Sequence, residues 1–99
     1  MKDRETRIKA NQRIIIKDGS SNYSAAISTI SKTGMSIKTD HTFPTYKVID
    51  VVVKIAKQFV RIKASVRWVH EFSDDSGAKW YEVGLSLPNP PAEYTEHFE

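Results

Sequence analysis

Hydrophobic and polar residues alternate along much of this chain with a period of two. Between Val60 and Trp68 every second residue is apolar, and the residues between them are basic or polar. Such alternation is typical of strands that bury one face and expose the other. Polar turn residues interrupt the pattern at short intervals, most clearly at 18–21, 31–34 and 73–77. The pattern therefore predicts an all-β sandwich or barrel.

The alternating segments predict six strands, at residues 13–17, 23–31, 35–39, 48–55, 60–68 and 79–87. A short open sheet exposes its edge strands, whereas closure removes those edges. We therefore expect an all-β fold, a small six-stranded antiparallel β-barrel of the split-barrel type with a short C-terminal helix. The inward positions of these strands define an expected core, which contains Ile37, Val51, Val53, Val60, Ile62, Val66, Val83 and Leu85. Trp68 is assigned to the same inward face.

The length of 99 residues allows one domain. We expect a flexible N-terminal arm at 1–9, the barrel at 10–88, and a tail or short helix at 89–99. The net charge of +3 is mild, and a dedicated binder of duplex DNA is usually more basic. The charged N-terminus lacks the apolar stretch of a signal peptide, and Val51–Val53 is too short to span a membrane. We expect a cytoplasmic protein.

Residue types that support catalysis or metal binding are scarce. The chain has no cysteine, which excludes disulfides and thiolate metal sites. Its three histidines are far apart in sequence, and Asp74 and Asp75 are adjacent in a turn rather than on separate buried elements. No nucleophile and base can be paired, and there is no phosphate-binding loop motif. We expect a binding domain with no enzymatic activity, no cofactor and no metal.

Three segments carry a resemblance to a known family. They are the basic arm Lys2–Arg7, the turn Thr29–Gly34 with its S-x-x-G pattern, and the late strand Tyr81–Leu87 with glycine before alternating leucines. In this order and spacing the chain resembles PilZ domains, the bacterial receptors for cyclic di-GMP. The resemblance covers nearly the whole chain. It implies a signalling domain with cyclic di-GMP as its ligand.

The resemblance also implies which residues hold the ligand. The arginines Arg4 and Arg7 lie in the arm where the family has its R-x-x-x-R element, with Arg7 at the position of the second arginine. Thr29, Ser31 and Gly34 correspond to the family's D/N-x-S-x-x-G element. An arginine fork pairs with phosphate or with guanine, and small residues let the ligand approach the backbone.

Two positions depart from that family pattern. If Arg7 is the second arginine, Asp3 occupies the position of the first, and Thr29 replaces the leading aspartate or asparagine. A negative charge at residue 3 opposes a phosphate, and a threonine hydroxyl has less acceptor capacity than a carboxylate. We therefore expect weak affinity for cyclic di-GMP.

Two other functions remain open from the sequence. The barrel can be a nucleotide-independent protein interaction module, whose partner would be another bacterial protein of motility or secretion machinery, as the resemblance implies. Single-stranded nucleic acid is a less favoured partner. Arg61, Lys63 and Arg67 share one strand face with Phe59 as its single aromatic residue, and stacking platforms need several.

Overall fold

The computed structural model describes residues 8–9 and 12–96, with side chains from residue 12 onward. Within this part of the chain, seven strands and one short helix follow one another: β1 (Ile8–Lys9), β2 (Arg13–Asp18), β3 (Ser21–Ser31), β4 (Gly34–Thr39), β5 (Val48–Ile55), β6 (Gln58–Ser73), β7 (Lys79–Ser86) and α1 (Ala92–Thr95). Strands β2–β7 are the six that the sequence predicts. No helix among the described residues is long and apolar enough to cross a membrane.

The six longer strands close into one antiparallel barrel. They follow the order β3-β2-β5-β6-β7-β4, and the pairing of β3 with β4 closes the ring. The predicted fold class, with its C-terminal helix, is confirmed. Strand β1 pairs with the C-terminal end of β3, where Ile8 lies opposite Ile30 and Lys9 lies opposite Thr29. These two residues belong to the predicted N-terminal arm. The other residues of that arm lie outside the described part of the chain.

The barrel interior is filled by the inward residues of all six strands. All eight residues of the predicted core are buried. Helix α1 contributes Tyr94, which is fully buried in the same core and donates a hydrogen bond to the backbone oxygen of Ser31. A helix of four residues is not stable in isolation, so the packing of Tyr94 against the barrel core stabilises α1.

Trp68 lies on the opposite side of β6 from the predicted one. Its partner in β7 is Gly84, whereas Val66 pairs with Leu85, so β6 contains one extra residue between these two pairs. Such a bulge shifts the alternation of side chains by one position. Val66 stays buried, but Trp68 is 47% exposed. The expectation of an inward Trp68 was wrong because the period of two does not continue through a bulge.

Positive backbone φ angles mark two of the hairpin turns. Gly19 has φ 63° in the turn between β2 and β3, and Ala56 and Lys57 have φ 50° and 72° between β5 and β6. Two-residue hairpin turns require such angles. The described glycines with positive φ are Gly19 and Gly77, so the turn before β4 does not use a positive φ at Gly34. Gly34 instead begins β4.

Candidate functional site

Three of the predicted ligand residues lie together where β3 turns into β4. A register shift between Ile27 and Thr29 places Thr29 opposite Ser36, and their hydroxyls share a hydrogen bond of 2.7 Å. Ser31 pairs with Gly34, and its hydroxyl donates to the carbonyl oxygen of Gly34 at 3.2 Å. The turn therefore brings together the residues of the S-x-x-G pattern and the threonine that precedes it.

The two arginines of the predicted site lie outside the described residues. Arg7 immediately precedes Ile8 in the sequence, and Ile8 pairs with Ile30, the neighbour of Ser31. The pairing of β1 with β3 therefore attaches the arm to the barrel beside the turn.

A depression of about 230 Å³ opens beside Gly34 on the outer surface of the barrel. Strands β4, β6 and β7 form most of its wall, and its lining residues are Thr33, Gly34, Met35, Ser36, Arg67, Trp68, Gly84, Leu85 and Ser86. Ligand pockets usually measure about 300–1,000 Å³, so this depression by itself has room for part of a dinucleotide.

The indole of Trp68 forms one wall of the depression and lies directly on Gly84. A Cβ atom at residue 84 would come within 2.1 Å of Cε2 and Nε1 of Trp68. Residue 84 must therefore be glycine for Trp68 to keep this position. Because Trp68 is half exposed, one face of a planar aromatic ring is presented to solvent next to Gly34.

Arg67 is the one charged residue among the described residues that line this depression. Its guanidinium also lies over the ring of Tyr46, with 5.5 Å between the guanidinium carbon and the ring centroid. The site is thus positively charged, as an anionic ligand requires. No group of three histidine or acidic side chains that suits a metal ion occurs in the described ranges.

The sequence-based site omitted Arg67, Trp68 and Gly84. They are 33 or more residues from Gly34 in the chain, and strand pairing brings them to it, since Ser36 pairs with Gly84 and Gly84 pairs with Trp68. The sequence does contain one indication of this wall, namely a tryptophan and a glycine on two strands predicted to be neighbours. Recognising that Trp68 lies opposite Gly84 requires the register of β6 with β7, which the sequence does not give.

A larger depression of about 540 Å³ lies farther along β3 and β4. Its lining residues are Arg13, Ser24, Ala25, Ala26, Lys38, Asp40, Phe72, Asp74 and Trp80, none of which belongs to the predicted site. The Asp74 carboxylate accepts hydrogen bonds from the indole of Trp80 at 3.0 Å and from backbone and side-chain groups of the 74–78 turn. Bonds from Ser76 and Trp80 lower the pKa of Asp74 from 3.8 to about 2. This carboxylate stabilises the turn and orients Trp80.

The comparison with family models agrees with the resemblance seen in the sequence. The model of the PilZ domain matches residues 2–99, which is nearly the whole chain. This chain belongs to the PilZ domain family. PilZ domains are binding and receptor modules. No curated protein sequence matches the chain.

Several solved structures have the same fold as this chain. The PilZ domain of YcgR from Escherichia coli, with c-di-GMP, is 12% identical and superposes with a TM-score of 0.74 over 99% of this chain and 86% of that one. The inhibitor of motility MotI/DgrA from Bacillus subtilis is 15% identical with a TM-score of 0.75, over 99% of this chain and 47% of that one. PlzA from Borreliella burgdorferi, in complex with c-di-GMP, is 14% identical with a TM-score of 0.67, over 93% and 48%.

These similarities establish the PilZ fold of the chain. The chain spans about half the length of MotI/DgrA and of PlzA, so it corresponds to one part of each of those proteins. In the β3–β4 turn, Ser31 pairs with Gly34, and Thr29 lies two residues before Ser31.

Proposed function

We propose that this PilZ domain is a cytoplasmic signalling domain that binds cyclic di-GMP on the outer surface of the barrel, with weak affinity and without catalysis. The observation that carries the proposal is the depression beside Gly34, which Arg67 lines and in which the half-exposed ring of Trp68 lies on Gly84. Gly34 lines the depression, and Ser31, which is buried, pairs with Gly34 in the same turn.

The chemistry of the ligand matches these groups. Cyclic di-GMP has two guanines and two phosphates. A base that stacks on an aromatic side chain contributes about 1–3 kcal/mol, and the exposed face of Trp68 offers such a surface. Arg67 lines the same depression, and arginine pairs with a phosphate or with a guanine edge. The arm with Arg4 and Arg7 would supply the remaining contacts, which explains why the depression alone is small.

The expected weakness of binding follows from Asp3 and Thr29. The hydroxyl of Thr29 is bonded to Ser36, and even when it faces a ligand it offers no anionic acceptor. Asp3 places a negative charge in the arm where the family pattern has a guanidinium. A lost bidentate contact costs about 1–3 kcal/mol, so two such losses weaken binding by roughly a hundredfold or more.

Calorimetric titration of the whole chain with cyclic di-GMP tests this proposal. We expect Trp68→Ala to weaken binding about tenfold, because the stacking surface is lost. The matched control is Trp80→Ala, which removes the other tryptophan and lies outside the site. The double variant Asp3→Arg/Thr29→Asp should bind at least about tenfold more tightly, since charged hydrogen bonds contribute roughly 1.5–3 kcal/mol. If this folded double variant shows no heat at high micromolar ligand, the proposed site is wrong.

The second candidate is a nucleotide-independent protein interaction module on the same barrel. The departures at Asp3 and Thr29 favour it, because they fall on the positions that the ligand needs. One structural neighbour is an inhibitor of motility, which suggests a bacterial protein of motility or secretion machinery as the partner. A purified partner that binds equally with and without cyclic di-GMP would support this candidate. Strict dependence on the nucleotide would contradict it.

A further inference from the structure

The outer surface of β2, β5 and the first part of β6 carries an excess of positive charge. Its cations are Arg13, Lys17, Lys54, Arg61, Lys63 and Arg67. These strand segments, all of which are described, also carry two carboxylates: Asp50 pairs with Arg61 at 2.6 Å, and Asp18 at the end of β2 pairs with Lys47 at 3.4 Å. The surplus of four charges exceeds the net charge of +3 of the whole chain. We call this surface the basic face.

Apolar side chains are exposed on the same surface. Of the five large hydrophobic residues that are exposed in the described chain, four lie there: Ile15, Tyr46, Val48 and Phe59. Phe59 is 73% exposed and Tyr46 is 71% exposed. These apolar side chains are distributed along the face between its cations rather than in one contiguous patch.

The aromatic residues at the two ends of the basic face each lie near a cation. The ammonium of Lys54 is 5.9 Å from the ring centroid of Phe59, and Arg67 lies over Tyr46 at 5.5 Å. Tyr46 has a φ of 72°, an unfavourable backbone angle for a bulky residue. Strained backbone conformations occur most often at functional sites, so the strain at Tyr46 together with its exposed ring is consistent with a residue that contacts a partner. Tyrosine, phenylalanine and arginine are also enriched in protein interfaces.

We propose that the basic face docks a protein partner whose surface presents carboxylates around exposed apolar side chains. Because the face is positively charged, a complementary partner carries carboxylates. The aromatic and aliphatic residues between the cations would pack against apolar side chains of that partner. This inference rests on the second candidate function, to which it adds the surface and the partner's chemistry. It does not depend on cyclic di-GMP binding.

The arrangement of aromatic residues favours a protein over nucleic acid. Phe59 lies opposite Lys54 near the end of β5, whereas Tyr46 lies in the turn before β5 begins at Val48, so about 20 Å of strand lies between the two positions. Proteins that bind single strands instead stack successive bases on neighbouring aromatic residues. The ion pair of Asp50 with Arg61 within the face also fits a partner with discrete charges better than a uniformly anionic bilayer.

The test is an NMR titration of the isotopically labelled whole chain with a short synthetic peptide in which glutamate alternates with leucine and phenylalanine. We expect amide shifts concentrated in β5 and in residues 58–67, and weaker binding at high salt. Lys54→Glu/Lys63→Glu should weaken binding about tenfold, because two attractions become repulsions. Lys38→Glu/Lys79→Glu makes the same charge change on other strands and should bind as the unaltered chain does.

The Lys54→Glu/Lys63→Glu variant and the Trp68→Ala variant together separate this inference from nucleotide binding. Lys54 and Lys63 do not line the depression at Gly34, so their double variant should keep its affinity for cyclic di-GMP, while Trp68→Ala should keep its affinity for the peptide. The inference is overturned if the peptide does not bind at roughly millimolar concentration, or if its lysine counterpart binds equally well. It is also overturned if anionic lipid vesicles or an oligothymidylate perturb the basic face more strongly than the acidic peptide does.

Discussion

The contact between Gly84 and Trp68 gives the sharpest test of the site geometry. Gly84→Ala would place a methyl group within 2.1 Å of the indole, well inside van der Waals contact. The backbone of residue 84 is held between β4 and β6 by its pairs with Ser36 and Trp68. The indole is half exposed and ends in solvent, so we expect the indole rather than the strand to move.

The cost follows from the surface that Trp68 exposes when it moves. A large aromatic side chain buries roughly 150–250 Å², and about half of this applies to Trp68. At about 25 cal/mol per Å², complete loss of roughly 100 Å² costs about 2.5 kcal/mol. Replacing a strand glycine by alanine returns about 0.5–1 kcal/mol of backbone entropy. The net loss is about 1.5–2 kcal/mol, which lowers the melting temperature of a domain of this size by roughly 6–16 °C.

A double-mutant cycle with Trp68→Ala isolates this contact. Thermal unfolding followed by circular dichroism should show the loss for Gly84→Ala in the unaltered chain. In the Trp68→Ala background the same substitution should be neutral or slightly stabilising, because no ring opposes the methyl group. Calorimetry should show that Gly84→Ala also weakens cyclic di-GMP binding. If Gly84→Ala costs the same in both backgrounds, Trp68 does not lie on Gly84 and the stacking surface is misplaced.

Three further predictions concern the fold. Val66→Asp should abolish the folded circular dichroism spectrum, because Val66 is fully buried and an unpaired charge there costs several kcal/mol, whereas Ser65→Asp at the half-buried neighbour should fold. Tyr94→Phe should lower stability by about 0.5–1.5 kcal/mol in chemical denaturation, through loss of the bond to the backbone of Ser31; an unchanged midpoint would contradict that bond. The lowered pKa of Asp74 means that its stabilising bonds are present above pH 3.8 and are lost as the pH falls through about 2. NMR shifts of the Ser76 and Ala78 amides should titrate near that pH and should lose this transition in Asp74→Asn.

The fold was predictable because one physical signal repeats along the chain. Alternation with a period of two marks the inward side chains of each strand, and burial of these side chains is what stabilises a barrel. The signal failed where the backbone departs from regular pairing. The bulge after Val66 moves Trp68 outward, and the apolar character of a tryptophan gives no indication of which residue is bulged. The pairing of Ile8–Lys9 with β3 was also missed, since two residues are too few to show any period.

The candidate site divides in the same way. Thr29, Ser31 and Gly34 are close in sequence, so a family pattern written along the chain can locate them, and the β3–β4 hairpin necessarily keeps them together. The wall that faces them depends instead on two cross-strand registers, β4 with β7 and β7 with β6. A shift of either register by one residue would turn the paired side chain to the other face of the sheet. The bulge that made the core assignment of Trp68 wrong is therefore the same feature that places its ring beside Gly34, and a strand without the bulge would bury this residue in the barrel.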